Sequence, residues 1–151
     1  KLFMLAVIFG ISTGFSQTYK SVDGNMFSAK VPSAFLFKKT DSSPDYCAYE
    51  SYSEGIKLIE FNSVNKYRFE FDNIEDLYAK AVENSKLKIS YKIQKSNWFI
   101  ISGTNLDGNI VYWKRIMGDN FISDLYIEYN SSQKNIIEPH IGEIARSFKS
   151  L

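Results

Sequence analysis

The sequence predicts an α+β protein in which an antiparallel sheet buries two amphipathic helices. Three observations carry this. Segments of strand character are separated by short turn signals, the pattern of neighbouring antiparallel strands. Two stretches repeat their apolar residues at helical spacing, one mid-chain and one at the end. The order is strands, helix, meander, helix, with no internal repeat, low-complexity tract or linker.

Thr18–Ser21 and Met26–Val31 flank Val22-Asp23-Gly24-Asn25, where Asp-Gly marks a hairpin turn. Pro32 ends the second strand. Phe35-Leu36-Phe37 is a short apolar patch, and Thr40–Asp45 (TDSSPD) reads as a loop. Tyr46–Ser53 interleaves three tyrosines, Glu54-Gly55 marks a turn, and Ile56–Phe61 is the next strand. Asn62–Phe71 fits no single pattern. Asp72–Asn84 reads as a helix: Ile74, Leu77, Tyr78 and Ala81 share one face, and Asp72 with Glu75 has the spacing of a capping box. Ile89, Tyr91 and Ile93 alternate with polar residues, as in a half-buried strand. Trp98–Ile101 is apolar throughout, as in a strand covered on both faces. Ser102–Asn109 holds a turn, Ile110–Met117 a long strand, and Gly118-Asp119-Asn120 another turn. Phe121, Ser123, Leu125, Ile127 and Tyr129 then form one side of a final meander strand. The closing helix is read from Pro139, which suits a first helical position. Ile141, Ile144, Ala145 and Phe148 form its apolar stripe, with Arg146 and Lys149 in its last turns.

The N-terminus reads as an address. Lys1 precedes a ten-residue apolar run, Leu2–Ile11, and Ser12–Gln17 is small and polar. This is the layout of a secretory signal peptide, residues 1–16, cut between Ser16 and Gln17. The run is short against the ~20 residues that a membrane span needs, so the mature chain, residues 17–151, is expected to be one domain with no transmembrane anchor, secreted or periplasmic. Composition narrows function further. The 151 residues carry 18 Lys and Arg against 17 Asp and Glu, which lacks the basic excess of a nucleic-acid binder. One Cys and one His cannot build a Cys/His metal site, which needs about three or four ligands, or a disulfide framework. Cys47 reads as a small buried hydrophobe. No cofactor motif is present: neither GxxxxGK, GxGxxG nor GxSxG occurs. Nothing in the sequence sets the oligomeric state.

The segment KISYKIQKSNWFIISGTNLDGNIVYWKRI (88–116), followed by LYIEYNSSQKNIIEPHIGEIARSFK (125–149), resembles the Mog/PsbP-like superfamily, the α-β-α sandwich shared by the photosystem protein PsbP and DcrB-type bacterial proteins. The resemblance lies in the Trp98–Gly103 strand ending Ser-Gly, the Gly108–Lys114 and Leu125–Tyr129 strands, and the Pro139–Phe148 helix ending Ser-Phe. Met26–Pro32 is similar to the family's early strand ending in Pro. Tyr129-Asn130 stands where members commonly have Tyr-Pro. The resemblance implies a secreted bacterial protein with a binding or accessory role, such as docking on an envelope protein. It supplies no catalytic or metal-binding residues to carry over.

The residues themselves offer few reaction centres. Ser102 reads as a strand-end serine and His140 as a solvated or capping histidine in a first helical turn. Glu50, Glu54, Glu60, Glu70, Asp72 and Asp76 supply carboxylates from which a hydrolase could draw a pair. Asp41, Asp45 and Asp107 could offer loop oxygens to calcium, without EF-hand spacing. The aromatic excess, 12 Phe, 10 Tyr and 2 Trp, is the distinctive feature. Tyr46, Tyr49, Tyr52, Trp98, Tyr112, Trp113 and Tyr126 are the candidate ligand- or partner-binding residues, because Tyr and Trp join contact area to a polar handle. Tyr67 belongs to the same excess. The leading expectation is a non-enzymatic domain docking on another envelope or secreted protein through a sheet edge or an aromatic face. The rival expectation is a carrier of a small apolar ligand, with Trp98, Trp113 and Phe148 lining a pocket between sheet and helix.

Overall fold

Alternating burial along the strands sorts the chain into layers. A computed structural model describes residues 18–69 and 73–151; the expected leader, Glu70 and Asp72 lie outside these residues. The strands are β1 (Tyr19–Asp23), β2 (Phe27–Pro32), β3 (Leu36–Ser43), β4 (Tyr46–Ser53), β5 (Ile56–Asn65), β6 (Lys88–Gln94), β7 (Trp98–Thr104), β8 (Ile110–Met117), β9 (Phe121–Tyr129) and β10 (Lys149–Ser150). A short 3₁₀ turn covers Lys66–Arg68, and the helices are α1 (Ile74–Asn84) and α2 (Lys134–Ser147). Strands β3-β4-β5-β9-β8-β7-β6 form a seven-stranded sheet, and β1-β2-β10 a separate three-stranded sheet. All pairings are antiparallel.

The two faces of the large sheet are covered by different elements. On one face α1 lies against β7, its Ile74, Leu77 and Ala81 packed with Phe99, Ile101 and Ile122. The opposite face carries the small sheet and α2: Phe27, Val31, Ile137, Ile144 and Phe148 pack with Phe61, Leu125 and Ile127. Phe27 stacks on Phe61 at 5.0 Å between ring centres, with Phe148 tilted against both. This core is filled by interdigitating rings and branched aliphatics. The α-β-α arrangement and the antiparallel strand order agree with the expected fold.

Several boundaries differ from the sequence reading, each for a local reason. Thr40–Ser43 is strand, not loop: among the described residues β3 is an edge strand paired with β4 alone, so its polar residues stay in solvent, with a bulge between Lys39 and Asp41. The α1 cap is Asn73, whose Oδ1 accepts from the Asp76 N–H at 2.8 Å. Helix α2 starts at Lys134, so Pro139 sits inside it and leaves the Asn135 carbonyl without its i+4 donor. Phe148 is not in the stripe of that helix but ends it in extended conformation, and Lys149 enters β10. Within Trp98–Ile101 only Phe99 and Ile101 are buried; Trp98 and Ile100 are half-buried, because α1 covers one face alone.

Two backbone positions shape the sheet. A Cβ on Gly103 would stand 2.4 Å from the Lys88 carbonyl oxygen, so β6 and β7 approach this closely only across a glycine. Lys86, just past the α1 C-cap Ser85, has φ +51°, the left-handed position that usually takes Gly or Asn.

Candidate functional site

The helices are offset, so each face of the large sheet keeps a different part uncovered. Among the described residues, no helix packs over β3, β4 and β5 on the α1 face, and the small sheet and α2 stop at β8 on the other. Strand register then dictates which side chains these open parts display.

On the α1 face two rows cross β5, β9 and β8: Asn62, Asp124 and Arg115, then Glu60, Tyr126 and Trp113. Glu50 continues the second row on β4. The polar groups bond to one another. Asp124 accepts from Arg115 Nε and Nη2 at 2.8 and 2.7 Å, and from Trp113 Nε1 at 2.7 Å. Arg115 stands over the Trp113 ring at 5.1 Å. Asn62 donates to Glu60 at 2.6 Å and accepts from the Tyr46 hydroxyl at 3.0 Å. Lys57 donates to Glu50 and Glu60, and the Tyr52 hydroxyl also donates to Glu50. Glu60, Asn62, Trp113, Asp124 and Tyr126 line an open depression of about 270 Å³. A second, of about 220 Å³, lies between Trp113 and the Leu77–Ala81 turn of α1.

The electrostatics of this face follow from the pairing. The Tyr52 hydroxyl and Lys57 hold the Glu50 carboxyl below the usual carboxylate range. Burial, and then Glu128 and Glu60, push the Tyr126 phenol up. Burial, and then Glu60 and Asp41, do the same to Tyr46. The arrangement is a fixed lattice of planar polar groups around half-buried aromatic rings. Within it, the Tyr52 and Lys57 bonds favour the anionic form of Glu50.

The opposite face carries other chemistry. Its rows are Tyr91–Ser102–Tyr112, Ile93–Ile100–Lys114 and Trp98–Ile116; the β6 and β7 members are open, whereas Tyr112 and Ile116 of β8 pack against the core beneath the small sheet and α2. Tyr91 is 53% exposed, and Ile93, Trp98, Ile100 and Tyr112 are half-buried. Burial pushes the Tyr112 phenol up to about 12. Lys114 lies 5.6 Å from the Trp98 ring centre and donates to the Ala145 carbonyl at 2.6 Å, near the C-terminal end of α2.

The seven candidate aromatics therefore divide. Tyr46, Tyr52, Trp113 and Tyr126 share the open α1 face. Trp98 and Tyr112 lie on the other face. Tyr49 is core, 8% exposed and stacked on Phe37 at 5.1 Å. Trp98, Trp113 and Phe148 share no pocket: Phe148 is buried under the small sheet, and the two tryptophans point to opposite sides. His140 is not in a first turn; it lies mid-helix, half-buried between Tyr19 and Phe35, with Tyr19 Oη 2.9 Å from its Nδ1. Ser102 Oγ donates to the Val111 carbonyl, as a strand serine would. Cys47 is a buried free thiol, pushed up by desolvation. Asp45 is held by Asn65 and Arg68, away from Asp107 in the β7–β8 turn. Among the described residues no three His, Cys, Asp or Glu side chains converge as metal ligands. Asn62, Arg115 and Asp124 belong to no sequence motif; only the pairing of β5, β9 and β8 brings them together.

These features define an α+β protein of PsbP-like fold. The solution structure of the cyanobacterial PsbP (CyanoP) from Synechocystis sp. PCC 6803 superposes with a TM-score of 0.55 at 8% identity, covering 93% of this chain and 96% of that one. A Bacteroides thetaiotaomicron crystal structure matches with a TM-score of 0.39 at 12% identity, over 83% of this chain and 45% of that one. No protein-family model matches the sequence, and no curated protein matches it. No helix among the described residues is long and apolar enough to cross a membrane.

Proposed function

We propose that the chain is a secreted or periplasmic, non-catalytic accessory domain that docks on another envelope protein through the open α1 face. The observation that carries this reading is the pre-paired lattice of Tyr46, Asn62 and Glu60 and of Trp113, Arg115 and Asp124, with Tyr126 lining the depression between them. Its side chains are already ordered, so a partner meets a rigid surface and little further ordering is needed on binding. Arg, Tyr and Trp are also the residues that most often anchor protein interfaces. A hydrolase would need a carboxyl held protonated beside a second carboxylate; here Glu50 and Glu60 share Lys57, and Glu54 lies apart in the β4–β5 turn.

Two measurements test this. Terminal sequencing of the exported protein should give Gln17 as the first residue; retention of residues 1–16 in the cytoplasm would end the secretory reading. A photo-crosslinking residue at position 62 or 126 should trap one discrete adduct in the envelope fraction, lost on Trp113→Ala. Adducts formed equally from position 132, in the exposed β9–α2 turn, would contradict docking through this face.

A further inference from the structure

The opposite open face, with its edge strand, has a composition that protein docking through the α1 face does not use. We propose that the β6–β7 face is a second interaction surface, which seats the protein on an anionic lipid bilayer.

Three observations lead there. First, Tyr91, Ile93, Trp98 and Ile100 form one contiguous apolar-aromatic patch across β6 and β7, by strand register, bounded by Tyr112 of β8, which packs against the core. Tyr and Trp carry an apolar ring and a polar tip, the combination suited to the headgroup boundary of a bilayer. Second, the patch is rimmed by like charge. Lys86, Lys88, Lys92 and Lys95 are all exposed, and no Asp or Glu occurs between Asn84 and Leu106. Among the described residues none of these four lysines makes an ion pair. Lys88 shares the face of Tyr91; Lys92 points to the other side of the same edge strand, and Lys86 and Lys95 flank its ends. Flexible four-carbon stems let all four reach one plane below the edge. Third, the patch is the surface of an open sheet. A bilayer is extended and uniformly anionic, whereas an acidic protein would have to present matching carboxylates at four separated points.

Edge lysines also discourage strand-to-strand aggregation. That role explains Lys88 and Lys92 within the strand, but not Lys86, which occupies a left-handed position better suited to glycine, nor the aromatic patch beside them.

The test is co-sedimentation of the full chain with phosphatidylglycerol vesicles and, in parallel, with phosphatidylcholine vesicles. Any affinity of the apolar leader for hydrocarbon is common to both and cancels in the ratio. The chain should favour phosphatidylglycerol, and the preference should vanish in high salt. Each lysine near an anionic surface contributes about 1 kcal/mol, or roughly five-fold, so Lys88→Gln, Lys92→Gln and Lys95→Gln together should weaken binding about 100-fold. The three Lys→Arg changes should retain it. All three positions are exposed, so both sets of changes should leave the melting temperature unchanged. Equal binding to both lipids, or an unaffected triple Gln variant, would overturn the proposal. Retention on immobilised poly-glutamate with no vesicle binding would also overturn it and assign the face to an acidic protein.

Discussion

The two open surfaces lie on opposite faces of one seven-stranded sheet, share only strand β8, and differ in almost every physical respect. The α1 face is polar and internally paired, its carboxylates matched by Arg115, Lys57 and the Tyr52 hydroxyl. The opposite face is apolar at its centre and basic at its rim, and the rim lysines Lys86, Lys88, Lys92 and Lys95 form no ion pair among the described residues. Strand alternation makes this contrast possible, since neighbouring residues on one strand serve opposite surfaces. Trp113 on β8 belongs to the first surface and Trp98 on β7 to the second. The offset of the helices exposes both surfaces: each covers one part of the sheet and leaves the rest open.

Changes that break one face while sparing the other sharpen the comparison. The largest effect is expected at Gly103, where β6 is held against β7. Gly103→Val drives side-chain atoms into the Lys88 backbone, and the cost should reach about 3 kcal/mol or more. Amide exchange should then accelerate in β6 and leave β4 and β5 protected. Next is Asp124→Ala, which strands Arg115 and the Trp113 N–H in a site where Arg115 and Asp124 side chains are only 15% and 18% exposed. Loss of about 2–3 kcal/mol by urea unfolding is expected, with vesicle binding intact. Lys86→Gly relieves a left-handed lysine and should stabilise the fold by about 1 kcal/mol, yet it removes one rim charge and should weaken binding to phosphatidylglycerol. Stability and binding thus move in opposite directions at one residue. Ser51→Ala should change stability least, by under about 1 kcal/mol and towards greater stability, because its buried hydroxyl has no hydrogen-bond partner among the described residues.

A pH effect separates both faces from the core edge. Burial lowers the His140 pKa beneath its usual 6.5. Below 6.5 the unfolded chain therefore binds the proton first, and stability falls as pH drops through this range until the folded value is passed. The urea midpoint should decline there, and His140→Asn should flatten the decline.

The α+β class, the hairpin at Asp23-Gly24, the four-strand meander and both helices were legible in the sequence, because alternation and helical spacing are local patterns. The start of α2 was not, because Pro139 is also a strong signal for a helix beginning, and tertiary packing of Ile137 overrode it. Strand β3 was hidden because an exposed edge strand shows no apolar alternation. The separate small sheet was hidden because β10 is two residues long and pairs across the whole chain. Aromatic residues stood out in the sequence by type, but which face each one joined depended on register. The partners of Trp113, namely Arg115 and Asp124, became visible only once β8 and β9 were paired.

The two tryptophans are built-in reporters of the two faces. In single-tryptophan variants, Trp113→Phe leaves Trp98 and Trp98→Phe leaves Trp113. The decisive measurement is fluorescence quenching by bromine-labelled phosphatidylglycerol vesicles. The account predicts strong quenching and a blue shift for Trp98, with Trp113 unaffected. Quenching of Trp113 to the same extent, or of Trp113 alone, would contradict the assignment of separate roles to the two faces.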